Sequence, residues 1–202
     1  MNTSHSTDNW MVRLGEHDRT VIEGYEESIK VKEIYTSAKH HVTLLKLKRE
    51  AVLHKRVLPI CLPEDDANVI VNSSCYVTSW QFANKDGNFT DVLNKAQVEI
   101  APFQDCNASY SGKLSEYEVC ANFTRGKAQG CNVERGAPLV CPGIDGRFVL
   151  TGVASAEEGC SNAGQYDVFI DVKMMLPFIN DAISMIQYPD RSEERRVGKE
   201  CR

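Results

Sequence analysis

Gly130-Cys131-Asn132-Val133-Glu134-Arg135-Gly136-Ala137-Pro138-Leu139-Val140-Cys141 is the stretch whose reading decides the fold. Cys131, Gly136, Pro138, Leu139, Val140 and Cys141 form its frame, and Val133, Glu134 and Arg135 stand inside that frame. An arginine guanidinium has no lone pair to offer an electrophile and stays protonated at any working pH, so Arg135 is not a nucleophile. Val133 is β-branched, stiff, and averse to the backbone angles that glycine tolerates. Glu134 puts a carboxylate between them.

Outward from this stretch, several segments read as strands. Phe148-Val149-Leu150-Thr151-Gly152-Val153-Ala154-Ser155 follows it. Cys75-Tyr76-Val77-Thr78-Ser79-Trp80 and the alternating Leu93 to Ile100 precede it, the latter after the turn-rich Ala83-Asn84-Lys85-Asp86-Gly87-Asn88. Trp10 to Asp18 alternates and then ends on turn formers, as a strand running into a loop does, and Ser28 to Glu33 begins another strand. Asp105 to Tyr110 reads as a short helix carrying Cys106. Asp171 to Ile186 reads as a closing helix, with Phe178, Ile179, Ala182 and Ile183 at helical spacing and Pro177 near its start.

Taken together these segments resemble the trypsin-like serine proteases. That family writes the loop Cys-Gln-Gly-Asp-Ser-Gly-Gly-Pro-Leu-Val-Cys, so Arg135 occupies the nucleophile position, Val133 that of an oxyanion-loop glycine, and Glu134 that of an aspartate that pairs with a new N-terminal ammonium. His40-His41-Val42-Thr43-Leu44-Leu45-Lys46-Leu47 resembles Asn-Asp-Ile-Ala-Leu-Leu-Lys-Leu, which puts His41 where the family orients its catalytic histidine with an aspartate. His5 falls near the position of that histidine, in a terminal segment where a solvated side chain is the plainer expectation. The pocket-base position is Gln129, and Ser155, Ala156, Glu157 and Asp167 fall on the specificity-pocket walls.

The resemblance implies an all-β, double antiparallel β-barrel with a C-terminal α-helix. It covers a peptidase S1 domain at 1–190: an incomplete first barrel over about 1–60, a second barrel over about 70–172, and a helix over about 173–186. The first barrel lacks the family's opening strands, so open sheet edges are expected there. The last twelve residues, 191–202, resemble the translation of a sequencing adapter and are set apart from the fold; a charged tail is the alternative.

Eight cysteines point to an oxidising, extracellular setting. Spacing alone leaves about 105 pairings open. The resemblance implies Cys75–Cys141, Cys106–Cys120 and Cys131–Cys160, and it leaves Cys61 orphaned, as a cysteine that family members link to an upstream region. Asn2, Asn72, Asn88, Asn107 and Asn122 each begin an Asn-x-Ser/Thr sequon. A net charge of −5 implies neither nucleic acid nor an anionic membrane as partner, and no apolar run approaches the ~20 residues a span needs.

The segment after Leu14 resembles the family's calcium loop. Its oxygen donors are the carboxylates of Glu16, Glu23 and Glu26 and the carbonyls of Asp18 and Val21, a set that suits a hard cation; the residue types suit a solvated acidic hairpin equally. The function implied is that of a secreted, non-catalytic serine protease homologue that binds proteases, inhibitors or substrates of a proteolytic cascade. The alternatives are an active trypsin-like endopeptidase with a mis-assembled loop, or a non-functional fragment. The His40-His41 doublet is not expected to hold one metal ion, because neighbours on a strand face opposite ways.

Overall fold

The computed structural model describes residues 6–37, 39–64, 70–80, 90–123, 133–155 and 166–187. In chain order the elements are β1 (Met11–Leu14), β2 (Glu27–Ser37), β3 (Val42–Leu47), β4 (Ser74–Ser79), β5 (Asn94–Ile100), α1 (Phe103–Ser109), β6 (Glu118–Phe123), β7 (Pro138–Pro142), β8 (Phe148–Ala154), β9 (Asp167–Asp171) and α2 (Val172–Gln187). The chain divides into two compact units, Ile60–Met174 and Met1–Pro59 with Met175–Arg202.

In the Ile60–Met174 unit, β4 and β5 alternate as their sequences suggest. Cys75, Val77 and Ser79 point inward from β4, and Val98 and Ile100 from β5, while the residues between them are wetter. Each strand needs neighbours on both sides to satisfy its backbone, and antiparallel pairing in the order β4-β5-β6-β9-β8-β7 closes a six-stranded barrel with no free edge. The barrel core gathers Cys75, Val77, Val98, Ile100, Ala121, Val133, Leu139, Ala154 and Phe169. Disulfides Cys75–Cys141 and Cys106–Cys120 tie it as expected, closing stretches of 66 and 14 residues. Loops of those lengths make bridges that constrain the unfolded chain by about 4 and about 3 kcal/mol.

Cys61 is not orphaned. It is disulfide-bonded to a cysteine outside the described residues, and its carbonyl accepts the Leu150 N–H at 2.9 Å, which docks the segment alongside β8. The Cys131–Cys160 pairing also lies outside the described residues.

In the other unit, β1, β2 and β3 form a three-stranded antiparallel sheet. The eleven-residue β2 serves two partners in succession: its first half pairs β1 from Met11↔Lys30 to Leu14↔Glu27, and its second half pairs β3 from Val31↔Leu47 to Ser37↔Val42. The register shifts between Val31 and Glu33, and such an irregularity re-aims the side chains beyond it. Ile29, Val31, Ile34 and Tyr35 are the buried residues of β2, while Glu33 accepts from Lys46 Nζ at 2.9 Å and from the Tyr35 hydroxyl.

Helix α2 starts where the Asp171 carboxylate accepts the Lys173 N–H at 2.9 Å, an N-cap arrangement. Val172, Met175, Leu176, Ile179 and Ala182 form its buried stripe. Pro177 lies in the helix interior rather than at its start, so the Lys173 carbonyl has no N–H four residues on to accept from. Phe178 and Ile183 are only half-buried, flanking that stripe.

Gly152 is fixed by close approach. A Cβ built on it would stand 2.8 Å from Phe169 Cβ and 3.2 Å from Leu139 Cδ2, both atoms of fully buried side chains. Gly152→Ala is expected to lower stability by about 1–3 kcal/mol through overpacking, read from denaturant unfolding. A change under about 0.5 kcal/mol would mean that β8 and β9 can separate freely there.

Candidate functional site

The central stretch contributes a tight turn. Ala137 donates its N–H to the Glu134 carbonyl at 3.0 Å, Arg135 and Gly136 form the corners, and Gly136 has φ of 87°. A positive φ at the second corner alone defines a type II turn and explains the glycine. Gly136 N–H in turn donates to the Ala154 carbonyl, and Ala154 N–H to the Ala137 carbonyl, both at 2.9 Å, so the turn is stitched to the end of β8.

The three residues inside the frame go to three environments. Val133 is buried in the barrel core, Glu134 is half-buried and accepts from Ser79 Oγ at 3.2 Å, and Arg135 is exposed at the turn's first corner. The Ser79 contact was not expected from the sequence, because 55 residues separate the partners.

His41 is exposed at the foot of β3, with φ of 55°. Both His40 and His41 donate their N–H groups to the Ser37 carbonyl, at 3.3 and 3.0 Å. They therefore lie on a turn before β3, not on the strand, and the opposite-faces argument does not apply to them. Among the described residues no group of three or more His, Cys, Asp or Glu is placed to hold a metal ion. Partial burial, with Lys39 and His41 nearby, pulls the His40 imidazole below its ordinary value.

On the expected pocket walls, the Ser155 hydroxyl donates to the Val168 carbonyl at 3.3 Å, and Asp167 opens β9 opposite Ala121 of β6. Burial pushes the Asp167 carboxyl up to about 7, so this group carries little charge in mildly acidic solution. His5, Gln129, Ala156 and Glu157 lie outside the described residues, as do Asn2 and Asn88. Asn72 is exposed on a turn and Asn122 on β6, while Asn107 is half-buried in α1 with its Oδ1 accepting the Leu114 N–H at 3.0 Å.

The five candidate calcium donors all fall between β1 and β2. Glu16 pairs with the Arg13 guanidinium, which also approaches Glu26 at 4.0 Å. Glu26 accepts the Glu23 and Gly24 N–H groups at 2.6 and 2.8 Å, and these bonds, led by Glu23, hold its carboxyl below the usual range. Glu23 stands 3.7 Å from His17 Nδ1, and the Asp18 carbonyl accepts the Val21 N–H at 3.1 Å.

A family model described as Trypsin matches residues 2–179. The chain belongs to the trypsin family. Similar relatives are an anionic trypsin of Bos taurus, 29% identical over 86% of this chain and 70% of the relative, and a chymotrypsin-like elastase family member 1 of Canis lupus familiaris, 28% identical over 91% and 77%. A transmembrane protease serine 9 of Rattus norvegicus is 32% identical over 71% of this chain, which spans 14% of that much longer protein. A closed six-stranded barrel, a second antiparallel sheet and a C-terminal helix are consistent with the trypsin-like double barrel. Membership puts the chain in a family of serine endopeptidases.

The Asp167 geometry has a measurable consequence. A carboxyl whose folded value is raised above its unfolded one favours the fold while protonated, and it disfavours the fold increasingly as pH rises from about 4 through about 7. Asp167→Asn is therefore expected to raise Tm over the wild type by a margin that grows between pH 5 and pH 8. A margin that is flat across this range would mean that the carboxyl is solvated.

Proposed function

We propose that this trypsin-family chain is a secreted, non-catalytic serine protease homologue that acts by binding other proteins of a proteolytic cascade. The observation that carries the reading is Arg135, exposed at the corner of the Glu134–Ala137 turn, the residue that the sequence resemblance sets at the family's nucleophile position. Hydrolysis of a peptide bond by this family's route needs an oxygen nucleophile, a base with its orienting carboxylate, and N–H donors for the oxyanion. The guanidinium supplies no nucleophile, and His41 supplies no fixed negative charge for a base. Val133, with its side chain committed to the barrel core, supports the same conclusion, since the loop there follows side-chain packing rather than the freedom of a glycine.

Secretion is supported by the disulfides, which persist in oxidising compartments. Exposed sequons at Asn72 and Asn122 agree with it. Among the described residues no helix is long and apolar enough to cross a membrane. Proteases, inhibitors or substrates of related enzymes are the expected partners.

The purified chain is expected to take no label from a fluorophosphonate and to give no turnover of peptide or ester substrates above background. Stoichiometric labelling, with hydrolysis abolished by a serine-directed inactivator, would sink the proposal and favour an active endopeptidase.

A structural calcium ion is part of the same proposal. Oxygen-only donors on one short loop are chemically suited to it, and the cation would compete with Arg13 for Glu16 and Glu26. Millimolar calcium is expected to raise Tm, and Glu23→Gln to remove that rise. No rise in the wild type, or an equal rise in the variant, would leave the loop as an acidic hairpin.

A further inference from the structure

Ser79 ends β4 with a side chain that is fully buried. A hydroxyl in that position has to find an acceptor or cost the fold its desolvation, and its Oγ donates to Glu134 Oε1 at 3.2 Å. Glu134 is the first residue of the type II turn, and its own carbonyl closes that turn by accepting from Ala137. Immediately before it, Val133 is anchored in the core; immediately after it, the backbone is stitched to Ala154. The side-chain bond therefore gives Glu134 a hold of its own, between a neighbour packed in the core and the residues stitched to β8.

We propose that Ser79 is the positioning residue of this loop, its hydrogen bond to Glu134 acting as a latch that fixes the Glu134–Ala137 turn and holds Arg135 at its exposed corner. Both partners, the turn and its docking strand all belong to Ile60–Met174. The latch is thus made within the unit that contains the barrel. A hydroxyl donating to a carboxylate is a charge-assisted bond, stronger than one between neutral groups, so the latch is expected to govern local opening of the turn while the barrel stays closed.

Amide hydrogen exchange on the whole chain reads this directly. The Ala137 amide, which closes the turn on the Glu134 carbonyl, and the Gly136 amide, which docks it on the Ala154 carbonyl, are expected to exchange roughly tenfold faster in Ser79→Ala. Glu134→Ala should produce the same acceleration, and the double variant no more than either alone, with the Val98 amide in β5 unchanged throughout. Glu134 is half-buried, so its variant reports on the latch even if the buried Ser79 site tolerates replacement poorly. Unchanged exchange at Gly136 and Ala137, or effects that simply add in the double variant, would reduce Ser79 to a space-filling residue and overturn the proposal. None of these readouts involves hydrolysis: turnover by the wild type would sink the proposed function and leave the latch standing, and unchanged exchange would do the reverse.

Discussion

The closure of β4 against β7 is the constraint on which the rest of the larger unit depends. Only Tyr76↔Val140 and Val77↔Leu139 join the two strands in register, and Cys75–Cys141 cross-links them one residue beyond. A six-stranded sheet with this seam open would expose two strand edges and release Val77 and Leu139, both fully buried, from the same core. With the seam closed, the end of β4 and the loop entering β7 are forced together. Ser79 is the last residue of β4 and Glu134 lies four residues before β7, so their meeting follows from strand pairing rather than from local sequence.

That dependence marks what was legible in the sequence. The alternation of β4 and β5 and the disulfides Cys75–Cys141 and Cys106–Cys120 could be read because each leaves a local or family-wide pattern. The Ser79–Glu134 bond left none, since a serine at a strand end is ordinary until the facing loop is known. Gly152 was equally silent: its neighbours Phe169 and Leu139 belong to other strands, and nothing beside it on β8 announces a close approach. The histidine doublet was misplaced by two residues at a strand boundary, which is where propensity is weakest; a left-handed His41 ends the turn just before β3 begins. The helix start was legible, at Asp171 against the observed Val172, but Pro177 was placed near that start because proline is tolerated there, whereas it lies inside the helix, five residues after Val172.

In the smaller sheet, β2 does the work of two strands, and the loop between β1 and β2 has to close with a dense set of carboxylates. Arg13 answers that charge at Glu16 and Glu26, while backbone N–H groups answer it again at Glu26. Exposed ion pairs contribute little, but the Glu26 side chain is only 3% exposed, where bonds from two N–H groups count for more. The low Glu26 pKa is the signature of this arrangement, and acidification into the range where that carboxyl protonates removes what it contributes.

Val133, Glu134 and Ser79 support one another in holding the central loop. A glycine at position 133 would leave the core a side chain short, whereas burying valine there contributes about 1.5–3 kcal/mol of apolar transfer. A glycine at position 79 would leave Glu134 without its donor, and the half-buried carboxylate would then have to find another or bear its desolvation. Valine, glutamate and serine together make a loop whose shape is held by packing and by one internal hydrogen bond. The turn that carries Arg135 is thereby held by Val133 in the core and by the Ser79–Glu134 bond, so its conformation follows from the packing of the barrel itself.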